Sequence, residues 1–349
     1  MKKKKYPVNL VNPLKECKSF LCIANLSNSV ILTQLLLADW AAAHLVIGYP
    51  VPKPKCNEAL IRVTMAGICN TDLEIINGYM DFKGVPGHEF VGIVEKSEEK
   101  KWEGKRVVGE INIGCGVCSY CLSRMKNHCP NRSVLGILKK DGAFADYITL
   151  PVRNLHAIPD SVSNEEAVFM EPIAASFQIC HQIKIKPSDK ICVLGDGKLG
   201  ILAGQVLFLT GCNLTVIGHH EEKLSILSQI GIHTSLNEDI NGKFDVVVDC
   251  TGSPSGLKKS LALAKPKGKV ILKTTLEKRE PVNLNAVVIN EIDLIGSRCG
   301  PFAPATRALQ KKLIDTKPLI SKTYYLDEGM EAFKYASQRG VLKVILKIK

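Results

Sequence analysis

The chain has 349 residues, 46% hydrophobic and 23% charged, an ordinary globular composition of about two domains' length that excludes wholesale disorder. Aromatic residues, at 6%, are too scarce for a surface that stacks single-stranded nucleic acid. Residues 1–18 carry six Lys and one Glu, +5 of the net charge of +12, so the rest is only mildly basic, which suits phosphorylated cofactors better than nucleic acid.

Residues 1–30 stand apart. Met1 and the four lysines behind it resemble the basic start of a signal peptide. Pro7, Asn12, Pro13, Lys15, Glu16 and Lys18 interrupt any apolar run behind them, and the first Arg is Arg62, which weakens a transit-peptide reading. The stretch fits a targeting segment, a disordered tail or residues upstream of a later start, and the sequence leaves these open. Val30–Tyr49 is apolar enough to raise a membrane span. Asp39 at its centre would cost about 2.5–3.5 kcal/mol there, and Gln34 and His44 add to that. A buried strand–turn–strand is expected instead, with no membrane partner.

From Leu35 to about Val152, short β-like runs alternate with turns rich in Gly, Pro and Asn: Ala59–Met65, Phe90–Lys96, Arg106–Ile111 and Ala143–Leu150. They predict a compact β-barrel-like domain. The chain runs extended around Pro151–Pro159, and then the period changes. Apolar strands at Ile191–Leu194, Leu214–Ile217, Phe244–Asp249, Val270–Lys273 and Asp293–Gly296 alternate with helical stretches, including Leu199–Leu209 and Glu221–Gln229. This punctuation predicts an α/β fold with a doubly wound parallel sheet covered on both faces.

Three sets of residues carry chemistry. The first is Val193-Leu-Gly195-Asp-Gly197-Lys198-Leu199-Gly200, a GxGxxG that follows a β-run and opens an apolar helix. Gly195 allows the tight turn, Gly197 the close approach of backbone to a pyrophosphate, and Gly200 tight packing of helix on strand. The second is Cys115-x2-Cys118-x2-Cys121-x7-Cys129. Four thiolates surround one Zn²⁺ with no open position, so this lobe, about residues 112–131, is expected to hold a structural zinc; its spacing is not that of a nucleic-acid zinc ribbon. The thirteen cysteines are odd in number and spread out, unlike a disulfide scaffold, and a reducing, cytoplasmic location is expected. Third, Cys69, the pair His88-Glu89 and Glu171 stand apart in sequence. A Cys/His/Glu set suits a catalytic Zn²⁺ with one open position, but spacing alone leaves open whether the residues meet.

With GICNTD (67–72), GHEFVG (87–92), the cysteine lobe, MEP (170–172), GDGKLG (195–200) and DCTG (249–252) in this order, the chain from about Leu35 resembles the zinc-dependent medium-chain alcohol dehydrogenases, in particular the sorbitol and threonine dehydrogenase branches. The resemblance implies a GroES-like catalytic domain over residues 31–173, a Rossmann NAD(P)-binding domain over 174–297, and a return to the catalytic domain over 298–349. It implies that Cys69, His88 and Glu171 ligate the catalytic zinc, with Glu89 as a carboxylate that approaches the metal. Thr71 then hydrogen-bonds the substrate alcohol, Asp72 orients the ligand His, Thr251 lies near the nicotinamide, and Lys343 approaches the cofactor phosphates. Two departures stand out. Glu74 occupies the place where many relatives carry a proton-relay His, and the stretch from His233 to Phe244 is short for a helix and its connections.

The implied activity is reversible oxidation of an alcohol or polyol to an aldehyde or ketone, with two zinc ions per subunit, NADP or NAD, and a homodimer or homotetramer as the assembly. A zinc-free quinone or enone reductase of the same superfamily, or a non-catalytic zinc-binding protein of this fold, are the alternatives. NADP is the expected cofactor. The acid that usually ends the second Rossmann strand, about 20 residues after the glycines, is replaced by Gly218, with His219, His220 and Lys223 beside it to meet a 2′-phosphate.

Overall fold

The computed structural model describes residues 33–39, 42–236, 242–275 and 281–349; the expectations for residues 1–30 lie outside them. Strands β1 (Thr33–Asp39) and β2 (Ala42–Ile47) pair antiparallel, the strand–turn–strand expected in place of a membrane span. No helix among the described residues is long and apolar enough to cross a membrane.

The long strand β3 (Glu58–Ile68) alternates half-buried and buried residues before becoming wholly buried, as a strand with one solvated face does. β4 (Glu89–Ser97) and β5 (Arg106–Gly109) follow. The short pair β6 (Asn112–Ile113) and β7 (Ser133–Val134) brackets the cysteine-rich lobe. β8 (Tyr147–Pro151) and β9 (Leu155–Ala157) close this part of the chain. A 13-residue helix, Met170–Gln182, then leads into β10 (Lys190–Leu194), β11 (Asn213–Gly218), β12 (His233–Leu236), β13 (Phe244–Asp249), β14 (Ala264–Leu272) and β15 (Asp293–Gly296). Finally come β16 (Ile320–Tyr325) and β17 (Lys343–Lys347).

Strands β10–β15 form one parallel sheet in the order β12-β11-β10-β13-β14-β15. That is the doubly wound order, and its switch point lies between β10 and β13, where such sheets bind ligands at their carboxyl ends. The central strands bury both faces, since Ile191, Cys192, Val193 and Val247 are fully enclosed, which explains their unbroken apolar runs. Helix Lys198–Phe208 packs on this sheet through Leu202 and Val206. β12 was not expected as a strand. It pairs with β11, and no helix is described between it and β13, which accounts for the short stretch there.

The second sheet runs β16-β17-β3-β4-β5-β9, with β8 also paired to β3. Its core holds Ile61, Val63, Phe90, Phe144 and Leu150. β17 comes from the far end of the sequence and pairs antiparallel with β3, setting Val344 opposite Ile68 beside the start of the site described next.

Candidate active site

β3 ends at Ile68, and Cys69 caps the seven-residue helix Asn70–Ile76 with extended backbone. Asp72, wholly buried, turns back within this first turn. Its Oδ2 accepts from the Cys69 amide at 2.8 Å, and its Oδ1 accepts from the Gly87 amide at 3.2 Å and lies 3.1 Å from His88 Nδ1. A proton on Nδ1 donated to this carboxylate leaves Nε2 free as a ligand atom, the positioning role expected for Asp72. Burial works against charge on His88, yet the Asp72 carboxylate raises its pKa well above the usual imidazole value.

Ligand atoms of Cys69, His88 and Glu89 all lie within 4.8 Å of one another. Glu171, at the start of helix Met170–Gln182, is outside this tight set: it faces His88 and Glu89 closely enough to feel their charge, but its carboxyl meets Cys299, and burial pushes its pKa up against the pull of His88. The structure thus brings together the three segments expected to meet, with Glu89 rather than Glu171 nearest. Glu89 Oε1 is buried without a hydrogen-bond partner among the described residues, so an acceptor is left open beside a thiol and an imidazole, as a divalent cation would require. Thr71 Oγ1 stands 3.9 Å from Cys69 Sγ, and Glu74, exposed, is one turn further along the same helix.

Lys343 departs from expectation. Its ammonium is fully buried, pairs with Glu89 Oε2 and lies 5.5 Å from the centre of the Phe169 ring. Burial alone would lower its pKa, but the Glu89 carboxylate and Cys69 raise it overall. It therefore braces the carboxylate behind the cluster, enclosed by the protein. Lys198 likewise reaches back across the cleft, donating to the Ile68 carbonyl at 3.3 Å.

The four lobe thiols converge as expected, with all ligand atoms within 4.8 Å of one another. Cys115 and Cys121 sulfurs are 4.0 Å apart, and those of Cys118 and Cys129 are 3.7 Å apart. The Val117 and Cys118 amides bring the Cys115 thiol down to about 6, whereas, against the Cys121 amide, burial and the neighbouring thiols push Cys118 up to about 11, so the lobe thiols do not ionise alike. Cys69 and the four lobe cysteines are free thiols.

A cavity of about 670 Å³ joins the cluster to the glycine loop. At Gly195 (φ +112°) a Cβ would lie 2.6 Å from the Cys250 carbonyl, and at Gly200 only 1.9 Å from that of Gly195, whereas at Gly197 it would meet nothing within 4 Å. Gly195 and Gly200 are fixed by packing, while Gly197 keeps open the space that a pyrophosphate would fill at the head of an 11-residue helix. Leu199 and Thr251 line the same cavity, and Thr251 is held by its amide (2.9 Å) and hydroxyl (2.7 Å) on Asp249 Oδ1.

At the adenosine end the structure corrects the expectation of open room beside Gly218. A Cβ there would lie 2.5 Å from Asp196 Cβ, because the Asp196 side chain fills the place. Its Oδ2 accepts from the His219 and His220 amides, both at 2.7 Å, and lies 3.0 Å from His220 Nδ1. Lys223 is largely buried and His219 exposed. A carboxylate does stand at the end of the second strand, but it comes from the middle of the glycine loop. Asn112, Arg132, Lys273 and Cys299, which also line the cavity, carried no motif that spacing could reveal. Lys273 ties helix Met170–Gln182 to the parallel sheet through the Ala175 carbonyl at 2.6 Å.

Residues 55–160 match the family described as alcohol dehydrogenase GroES-like domain, and residues 199–313 that described as zinc-binding dehydrogenase. The sorbitol dehydrogenase of Halalkalibacterium halodurans is 28% identical over 321 residues, which span 85% of this chain and 93% of that one. A solved structure from Sinorhizobium meliloti 1021, assigned as a zinc-binding dehydrogenase and bound to NADP, superposes with a TM-score of 0.83 at 25% identity, covering 91% of this chain and 99% of its own. An alcohol dehydrogenase of Escherichia coli CFT073 complexed with NADH gives the same TM-score of 0.83 and identity of 25%, with coverage of 91% and 99%.

Proposed function

The chain belongs to the zinc-type medium-chain alcohol dehydrogenase family and is an oxidoreductase acting on alcohols with NAD(P), and from that premise we propose that it oxidises a polyhydroxy alcohol at the Cys69–His88 cluster. The observation that carries this reading is a single cavity with the Cys69, His88 and Glu89 donors at one end and the open Gly197 loop at the other. When bound, zinc supplies the Lewis acidity that makes an alcohol hydroxyl acidic near neutral pH, and the nicotinamide supplies the hydride acceptor.

The protein's own residues do the rest. Cys69 and His88 would hold the catalytic zinc, with Glu171 or Glu89 as the third donor, and the four lobe cysteines a second zinc that fixes the lobe. Asp72 keeps His88 in the tautomer whose Nε2 faces the cluster. Thr71 Oγ1 takes the hydrogen bond of the substrate hydroxyl, and the exposed Glu74 carboxylate passes its proton to solvent. Asn112 and Arg132 make the substrate end polar, and Arg132 Nε is buried without a partner among the described residues, a donor suited to further substrate hydroxyls.

The exposed edge strand β15, with Val288 and Ile289 exposed nearby, supports a homo-oligomer. A lobe of reduced thiols supports a cytoplasmic location. Assay of a panel of polyols, simple alcohols and hydroxy acids, followed by absorbance of the reduced nicotinamide, tests the activity. Turnover should be best with polyols, and no turnover of any hydroxyl compound by the zinc-replete protein would refute the reading.

A further inference from the structure

We propose that Asp196 is the residue that selects the cofactor, reading the free 2′-hydroxyl of the adenosine ribose, so that this enzyme takes NAD in preference to NADP. The inference rests on the dehydrogenase reading above and adds the choice between its two nucleotides.

In a Rossmann sheet the adenosine ribose lies where the second strand ends beside the first glycine turn. Here β11 ends at Gly218, and Asp196, between Gly195 and Gly197, leans across to it. The two positions have exchanged roles. A side chain at Gly218 would collide with Asp196 at 2.5–2.7 Å, so the carboxylate ordinarily carried by the strand is carried by the loop.

The two oxygens of this carboxylate are used differently. Oδ2 takes three donors: the His219 and His220 amides and the His220 ring. Among the described residues no donor reaches Oδ1, yet Asp196 lines the cavity. Burial works to raise the carboxyl, but the His219 and His220 donors outweigh it and hold it below the usual carboxylate range. An ionised carboxylate with one oxygen fixed and one open is an acceptor for a vicinal diol. A 2′-phosphate offers that oxygen no donor at neutral pH and sets like charges together.

Three basic side chains weigh against this. Lys223 is 9% exposed, Lys259 lines the cavity wall, and the His220 ring is already engaged by Asp196. None has displaced Asp196 from Gly218, so a phosphate arriving there meets the carboxylate first.

The test measures binding to the full-length, zinc-loaded protein by calorimetry and needs no turnover. The probes are NADH, NADPH, 5′-AMP, 2′-deoxy-5′-AMP and adenosine 2′,5′-bisphosphate. Wild type should bind NADH at least about tenfold more tightly than NADPH, and 5′-AMP about 10–100-fold more tightly than its 2′-deoxy form, the range for a hydrogen bond to a charged group. Asp196→Asn should narrow the NADH/NADPH ratio at least tenfold, mainly by improving NADPH. A loop merely loosened by the change would weaken both nucleotides alike and leave the ratio unmoved. Asp196→Gly combined with Gly218→Asp, which returns the acid to the strand, should restore the preference for NADH.

If wild type binds the bisphosphate as tightly as 5′-AMP, or if Asp196→Asn leaves the ratio unchanged, the assignment of Asp196 is wrong and the dehydrogenase reading stands. If none of the five probes binds, both fall.

Discussion

Replacing Lys343 by Met is the sharpest probe of how the site is braced. The Lys343 ammonium and the Glu89 carboxylate are 0% and 1% exposed and pair with each other under the Phe169 ring. Met keeps the length and apolar stem of the lysine but removes the charge, so Glu89 is left buried with neither oxygen partnered by the protein. Breaking a buried pair from one side costs about 3–5 kcal/mol, because the remaining charge is stranded, whereas removing both charges is often neutral. Lys343→Met should therefore lower stability by about 3–5 kcal/mol, read as a shift in the urea midpoint followed by circular dichroism. Lys343→Met with Glu89→Gln should recover most of that loss. Nucleotide affinity in the surviving folded fraction should be little altered, since the ammonium is fully enclosed and already paired with Glu89. A single variant within about 1 kcal/mol of wild type, a small effect on the scale of ordinary substitutions, together with a weakened affinity for 5′-AMP and ADP-ribose, would refute the bracing role and return Lys343 to the phosphates.

Metal analysis should find about two zinc ions per subunit; Cys69→Ser should lose one along with the activity while staying folded, and Cys118→Ser should lower the thermal midpoint far more, because metal binding in the lobe is folding free energy. Thr71→Val should reduce turnover by about 10²–10⁴-fold without destabilising the protein, with Thr71→Ser much closer to wild type and Glu74→Gln giving a smaller loss and an altered pH profile; equal turnover by Val and wild type would remove Thr71 from the proton path. Gly200→Ala, whose Cβ would lie 1.9 Å from the Gly195 carbonyl, should be hard to fold, whereas Gly197→Ala should fold normally and lose nucleotide affinity, as calorimetry with NADH will read.

Local spacing made much of this site legible. Four cysteines within fifteen residues need only one local loop to converge, and GxGxxG after an apolar strand announces its own turn. Asp72 and His88 are readable only through the family resemblance, because their contact spans sixteen positions that spacing alone does not bring together. What stayed hidden depended on side-chain direction across long separations. Lys343 meets Glu89 over 254 positions, and nothing in the apolar run around it says that its ammonium points inward. Asp196 stands inside the glycine motif, whereas the local pattern places the acid at the end of the second strand. Its reach to Gly218 follows from two backbones passing closely, which no periodicity encodes. β12 is silent in the sequence for a related reason: at the sheet edge its His is exposed, its Thr and Ser are half-buried, and they give no apolar run.

The placement of β17 has a consequence for the order in which the protein assembles during synthesis. The parallel sheet is built wholly from residues 190–296, so its strands can leave the ribosome and pair before translation ends. The other sheet cannot close then, because β17, its inner strand between β16 and β3, is synthesised about 275 residues after β3 has emerged. Until it arrives the end of β3 from Met65 to Ile68 presents an open edge, Glu89 has no ammonium, and the turn carrying Cys69 lacks the neighbour that pairs with Ile68. Such late, long-range strand pairing is slow and leaves an aggregation-prone edge in the meantime. The nascent chain can thus carry a complete nucleotide domain beside an unfinished catalytic one, and Glu89 gains its buried ammonium only when residues 343–347 pair with β3.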